Sequence, residues 1–274
     1  VELRTFRIPK NQKVFTVAGI GDIQWTGKNG ITANDQLSRF IDYSGSMGAY
    51  YIGLGDYIDP LSPSNRRKIA ASGIYDTAME VLWNKCLELN AELFEKHLKH
   101  TKGRWIALGE GHHYNEYGGR TSDQELCKLL GSEDLFIGTT GLAHVPQAAA
   151  SFFHLHGNGG GVLPGAGLNK LYHLSAGFPG SEVYMMGHNC KNAGARLSRP
   201  YPVYKRMKLE HRDVFLVNCA GFSKSAVVGH RVAGITRGNY AEQASLPPSA
   251  CNSAVVQINL GLEQDHPFRI RVSV

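Results

Sequence analysis

The amino-acid sequence predicts an α/β fold: a four-layer α/β/β/α sandwich in which two mixed sheets pack face to face, flanked by helices. Three observations carry this expectation. In the first half of the chain, short β-branched apolar runs alternate with stretches of helical period. Beyond Pro202 the pattern changes to strands with few helices, which calls for a second sheet. Five strands in succession end on an aspartate or histidine beside a glycine.

The elements follow in order. Lys13 to Ile20 carries VFTVAGI, a buried strand by its β-branched apolar content, and runs into Gly21-Asp22. Asn34 to Met47 places Leu37, Phe40 and Ile41 at helical spacing, and Tyr50 to Leu54 is a second strand that ends at Gly55-Asp56. Ile74 to Lys99 is the longest expected helix, with Ile74, Ala78, Val81, Leu82, Leu89, Leu93 and Phe94 as its apolar stripe. Arg104 to Leu108 is a third strand, followed by Gly109-Glu110-Gly111-His112-His113. Ser122-Asp123-Gln124-Glu125 reads as a capping box opening a helix with Leu126, Leu129 and Leu130. Ser151 to His156 and Val183 to Met186 are short strands, ending at His156-Gly157 and Gly187-His188. Gly157 to Gly167 reads as a loop. Further strands are expected at Tyr204 to Leu209, Val214 to Asn218, Val255 to Leu260 and Phe268 to Val272. With no repeat and no composition break, residues 1–274 read as a single domain.

A chain of 274 residues can bury enough apolar surface to fold without disulfides or structural metal. Its five cysteines are odd in number and form no CxxC pair, which excludes a zinc ribbon or disulfide framework and fits a reducing cytoplasm. No run of 18 apolar residues is present and no signal peptide is visible, so no membrane partner is expected. The net charge of +6 suits a polyanion, either a nucleic acid or a phosphorylated metabolite. The densest basic run is Arg196, Arg199, Lys205, Arg206, Lys208 and Arg212, and Arg66-Arg67-Lys68 follows the Asp56 loop. Either group is a solvated patch or a phosphate-attracting surface.

Ligands of open α/β sheets gather at the carboxyl ends of strands. There this chain reads Gly21-Asp22-Ile23-Gln24, Gly55-Asp56-Tyr57-Ile58-Asp59, Gly111-His112-His113-Tyr114, His156-Gly157 and Gly187-His188-Asn189-Cys190. The ordered series resembles the calcineurin-like metallophosphoesterase family, whose pattern is D-x-H, G-D-x-x-D, G-N-H-D/E, H-G and G-H-x-H. The resemblance spans roughly residues 14 to 192, with the C-terminal strands fitting the second sheet, and is similar to versions carried by phages and prophages, which would act in a host cytoplasm. It implies a hydrolase with two divalent ions (manganese, zinc or iron) about 3.5–4 Å apart, with hydroxide held between them attacking a phosphodiester.

By that resemblance, Asp56 bridges the ions. Asp22, Gln24 and Cys190 complete the first site, and His112, His156 and His188 complete the second. His113 is the catalytic histidine, protonating the leaving-group oxygen or stabilising its developing charge, with Asp59 orienting His113 or another ligand. Three positions depart from the family pattern. Gln24 replaces a histidine and either coordinates through a neutral carbonyl or makes a structural hydrogen bond. Cys190 replaces the last histidine, as a thiolate suited to zinc or iron or as a small buried hydrophobe. His112 replaces an asparagine. Asn158 and the following glycines could donate N–H groups to phosphate, whereas His154 is expected to pack in the core. Two classes of function remain. One is a phosphodiesterase acting on DNA, RNA or a nucleotide, with phosphomonoesters or phosphoproteins as other substrates. The other is a binding or scaffold protein that kept the fold and lost the chemistry.

Overall fold

A computed structural model describes residues 1–27, 31–60, 75–159, 161, 163, 165–229, 231–232, 235–236, 242 and 249–274. Two large sheets dominate it. The first has five strands, built from β2 (Val14–Ile20), β3 (Tyr50–Leu54), β4 (Trp105–Gly109), β14 (Val255–Asn259) and β15 (Ile270–Ser273) in the order β15-β14-β2-β3-β4. Strands β2, β3 and β4 are parallel, while β14 and β15 run antiparallel at one edge.

The second sheet has six strands: β1 (Glu2–Thr5), β7 (Thr140–Val145), β8 (Ala150–Leu155), β9 (Val183–Met186), β10 (Ala193–Val203) and β11 (Lys208–Asn218), in the order β1-β7-β8-β9-β11-β10. Strands β8, β9 and β11 are parallel. The short pairs β5 (Glu116–Tyr117) with β6 (Arg120–Thr121), and β12 (Arg231–Val232) with β13 (Ile235–Thr236), stand apart.

Alternation along the strands sorts side chains into layers. On β2, Phe15 and Val17 point into the space between the sheets, where they meet Phe152, Val183, Met185 and Val217. Ala18 and Ile20 point outward, into a core shared with α1 (Asn34–Ser46), α2 (Tyr75–Leu93) and α3 (Ser122–Leu130) through Leu37, Leu89 and Leu126. On the far face of the second sheet, Phe153, Tyr184 and Leu216 pack against Leu171 of α4 (Gly165–Gly177). The order is helices, sheet, sheet, helix: the expected four-layer arrangement. Among the described residues no helix is long and apolar enough to cross a membrane.

Several boundaries differ from expectation. The capping box lies one residue earlier: Thr121 Oγ1 accepts from Gln124 N, and the Gln124 side chain accepts from Thr121 N. Ser122 instead accepts from Asn115 N through its hydroxyl. The long helix ends at Leu93 and passes through a wider turn over Phe94–Leu98. Its Val81 is 68% exposed rather than part of the stripe, and Ile74 lies outside the described residues. Tyr204–Arg206 is a tight turn rather than the start of a strand. The turn joins β10 to β11, and β10 escaped detection because it is an exposed edge strand carrying Pro200 and Pro202. The loop expected over Gly157 to Gly167 gives way at Gly165 to a helix, Gly165–Gly177.

Candidate metal centre

Strand ends from both sheets meet at one edge, and backbone bonds beyond the strands zip the loops together. Asp22 N donates to Gly55 O and Gln24 N to Asp56 O, each at 2.9 Å, which carries the β2–β3 pairing on past the strands. The second sheet closes on the first where His188 N donates to Asp22 Oδ2 at 2.6 Å.

These loops hold unusual backbone. Asp22 (φ 47°), Gln24 (48°), Asp56 (56°), His188 (68°) and Cys190 (49°) are five of the eight described non-glycine residues with positive φ. Each left-handed residue of this kind costs on the order of 1–3 kcal/mol and persists only where its surroundings enforce it. Close approach adds a second constraint. A Cβ on Gly111 would collide with Asp56 Oδ1 and N, and one on Gly221 would collide with Asp22.

Asp56 is the centre of the site. It is 2% exposed, and its Oδ1 accepts from His112 N at 2.5 Å and from His113 N at 2.9 Å. The other oxygen, Oδ2, lies 3.2 Å from His156 Nε2 and 3.7 Å from His113 Nε2. His156 Nδ1 donates to Leu54 O at 2.6 Å, which fixes the ring and aims Nε2 into the site. His188 Nδ1 is 3.2 Å from the same Nε2. The His112 ring stands edge-on to both, with centroids 4.7 Å from His156 and 4.9 Å from His188. Two donor groups result, each with its ligand atoms within 4.8 Å of one another: His112, His156 and His188, and Asp22, Asp56 and His156.

Electrostatics favour a cation. Burial pushes Asp22 up to about 7, with Asp56 adding to the rise and His156 opposing it. Burial also acts on Asp56, but the hydrogen bond and charge of His156 outweigh it and hold that carboxyl below its usual range. Burial lowers His156, yet Asp56 and Asp22 lift it to about 9. Burial, then the neighbouring His156, lowers His112, and the same causes bring His188 down to about 4. His156 Nε2 thus faces Asp56 Oδ2 and His188 Nδ1, with the Asp22 charge nearby. A divalent ion in that place would meet neutral imidazoles and carboxylates, so the residues fit a metal.

His113 sits beside this group. Its Nδ1 is 2.9 Å from Asp59 Oδ1, a close contact too poorly aligned for a hydrogen bond. Burial works against its protonation, and Asp59 and Asp56 more than offset that, raising its pKa. Cys190 stands apart from both donor groups. Its Sγ faces His188 O at 3.9 Å, and burial, then Asp22 and Asp56, keep it a thiol. Gln24 is half-buried in the same loop as Asp22, tied down through its backbone. His154 is 1% exposed with neither ring nitrogen hydrogen-bonded among the described residues, as expected of a core residue.

The basic run lies on the β10–β11 ribbon, and its Lys205, Arg206 and Lys208 sit at the turn, the opposite end of β11 from Asn218, which donates to Lys191 O in the loop after His188. Most of its charges are met locally: Arg196 by Asp213, Arg206 and Lys208 by Glu210, and Arg199 by Ser175. Arg66, Arg67 and Lys68 lie outside the described residues. Sequence patterns gave no sign of Leu54 O, Gly221 or Asp123, whose Oδ2 accepts from Gly111 N at 3.2 Å.

No family model and no curated relative matches the chain. Among solved structures, a conserved uncharacterized protein from Streptococcus pneumoniae TIGR4, described as a predicted phosphoesterase, aligns over 96% of this chain and 98% of that chain. The identity is 10% and the TM-score 0.35, a likeness too distant to weigh on fold or activity.

Proposed function

We propose that the chain works as one unit, a metal-dependent phosphoesterase of calcineurin-like type that hydrolyses a phosphodiester in a nucleic acid or nucleotide. The observation that carries this is the Asp56 carboxylate. One oxygen is locked by two backbone N–H groups while the other faces His156 and His113. That is the posture of a bridging ligand with an acid beside it.

Asp22, Asp56, His112, His156 and His188 would hold two divalent ions, manganese, zinc or iron, with Gln24 and Cys190 at the margin of the first. Such ions make water a nucleophile near neutral pH and offset the charge of the phosphate. His113 would give its proton to the leaving-group oxygen, and Asp59 would keep that proton available. A binding-protein reading draws its support from Cys190, a protonated thiol outside both donor groups.

The test is hydrolysis of bis-nitrophenyl phosphate in manganese, in zinc and in chelator, with metal content measured in parallel. Metal-dependent turnover absent from Asp56→Asn and His113→Ala supports the phosphodiesterase. Metal-loaded, folded protein without turnover on mono- or diesters moves the assignment to the binding protein.

A further inference from the structure

Lys170 lies on α4, outside every motif of the sequence. Its Nζ donates to Asn158 O at 2.6 Å. Asn158 is two residues beyond His156 on the same loop, and a Cβ on Gly157 between them would collide with Met186 and stand in ordinary contact, 3.6 Å, with His188 Cβ. Three residues before Lys170, a Cβ on Gly167 would lie 2.8 Å from Asn189 Nδ2 in the His188–Cys190 loop. The helix is thus wedged between the two loops that carry His156 and His188, with Lys170 at their shared rim.

Two further facts define its chemistry. Among the described residues no carboxylate pairs with Lys170, and its one partner is a neutral carbonyl. An ammonium has three donors, so two are left for another acceptor. Its charge is also held at the loop that follows His156, one of the metal-donor residues. A cation beside metal ligands works against metal binding unless an anion joins them.

We infer that Lys170 is a substrate-binding residue, gripping a non-bridging oxygen of the phosphate group that the histidine–aspartate cluster would hold. This rests on the phosphoesterase reading and adds a binding residue to it. The Asn158 carbonyl parks the ammonium at the rim, and phosphate takes up the remaining donors. Because the contact is with the phosphate and not with the rest of the substrate, it acts on monoesters, diesters and inorganic phosphate alike.

The experiment is equilibrium binding of inorganic phosphate to manganese-loaded protein, with metal content measured on the same samples. Lys170→Gln should weaken phosphate binding by about ten- to a hundredfold, the value of a charge-assisted hydrogen bond, at unchanged metal content. Lys170→Arg, which keeps the charge, should recover most of the affinity. Unchanged phosphate affinity in Lys170→Gln overturns the inference and leaves the phosphoesterase reading standing. Loss of metal in Lys170→Gln also overturns it, making Lys170 an anchor for the His156 loop. Wild-type protein that takes up metal but no phosphate, or no metal at all, overturns the reading and the inference together.

Discussion

His188 N donates to Asp22 Oδ2 at 2.6 Å across 166 positions of sequence. Asp22 ends β2 of the five-stranded sheet and His188 follows β9 of the six-stranded one, so this bond fastens the two sheets at the site edge. It also uses one Asp22 oxygen for structure and leaves the other for a ligand.

The two roles of Asp22 separate by substitution. Asp22→Asn keeps an acceptor for His188 N–H and should hold stability within about 1 kcal/mol, whereas Asp22→Ala strands that buried donor and should cost about 1–3 kcal/mol. Both should lower bound metal, read by elemental analysis beside chemical denaturation. Full metal content in Asp22→Asn would show that Asp22 is only a clamp.

Gly111 tests close approach. Gly111→Ala would drive a methyl group into Asp56, so a loss of about 2 kcal/mol or more is expected, with loss of metal. Gly118→Ala is the control: φ is 59° but nothing lies within 4 Å, so only backbone strain of about 1 kcal/mol applies. Equal stability losses for the two variants would contradict the packing described here.

His113 and Asp59 should show themselves in a pH–rate profile. His113→Ala should lower kcat by about 10²–10⁴-fold. Asp59 raises the His113 pKa, and the protonated form is the one that donates. Removing that charge in Asp59→Asn lowers the pKa, so the alkaline limb of kcat should move to lower pH. An alkaline limb that stays in place would detach Asp59 from His113.

His154 offers a prediction about stability alone. Burial depresses its pKa from 6.5 to about 3, so between those values the unfolded chain holds a proton that the folded chain refuses. Stability from this residue is complete above pH 6.5 and falls as pH drops toward 3, by about 1.4 kcal/mol per unit. His154→Leu removes that slope, and it also removes two ring nitrogens without partners, so it should gain about 1–2 kcal/mol at pH 7 and more at pH 5. Denaturation curves at the two pH values decide it; an equal or smaller gain at pH 5 would rule out the neutral buried ring.

The sequence by itself determined the layers and pointed to the candidate residues of the site. Apolar runs such as VFTVAGI are covered on both faces, and the 3.6-residue period of Leu37, Phe40 and Ile41 needs no distant partner to be read. The strand-end positions of Asp22, Asp56, His112, His113, His156 and His188 were legible because topology places carboxyl ends of parallel strands together. Tertiary structure decided the rest. Which oxygen of Asp56 is locked depends on the N–H groups of residues 112 and 113, and Cys190, left-handed in its backbone, has its Sγ against His188 O and outside both donor groups. Lys170 reaches the rim only because α4 is wedged between two loops. Periodicity is a local property that residue types encode directly. Convergence of atoms 100 or more positions apart depends on sheet packing and on φ values that residues such as Asp, Gln, His and Cys adopt only when the surrounding fold compels them.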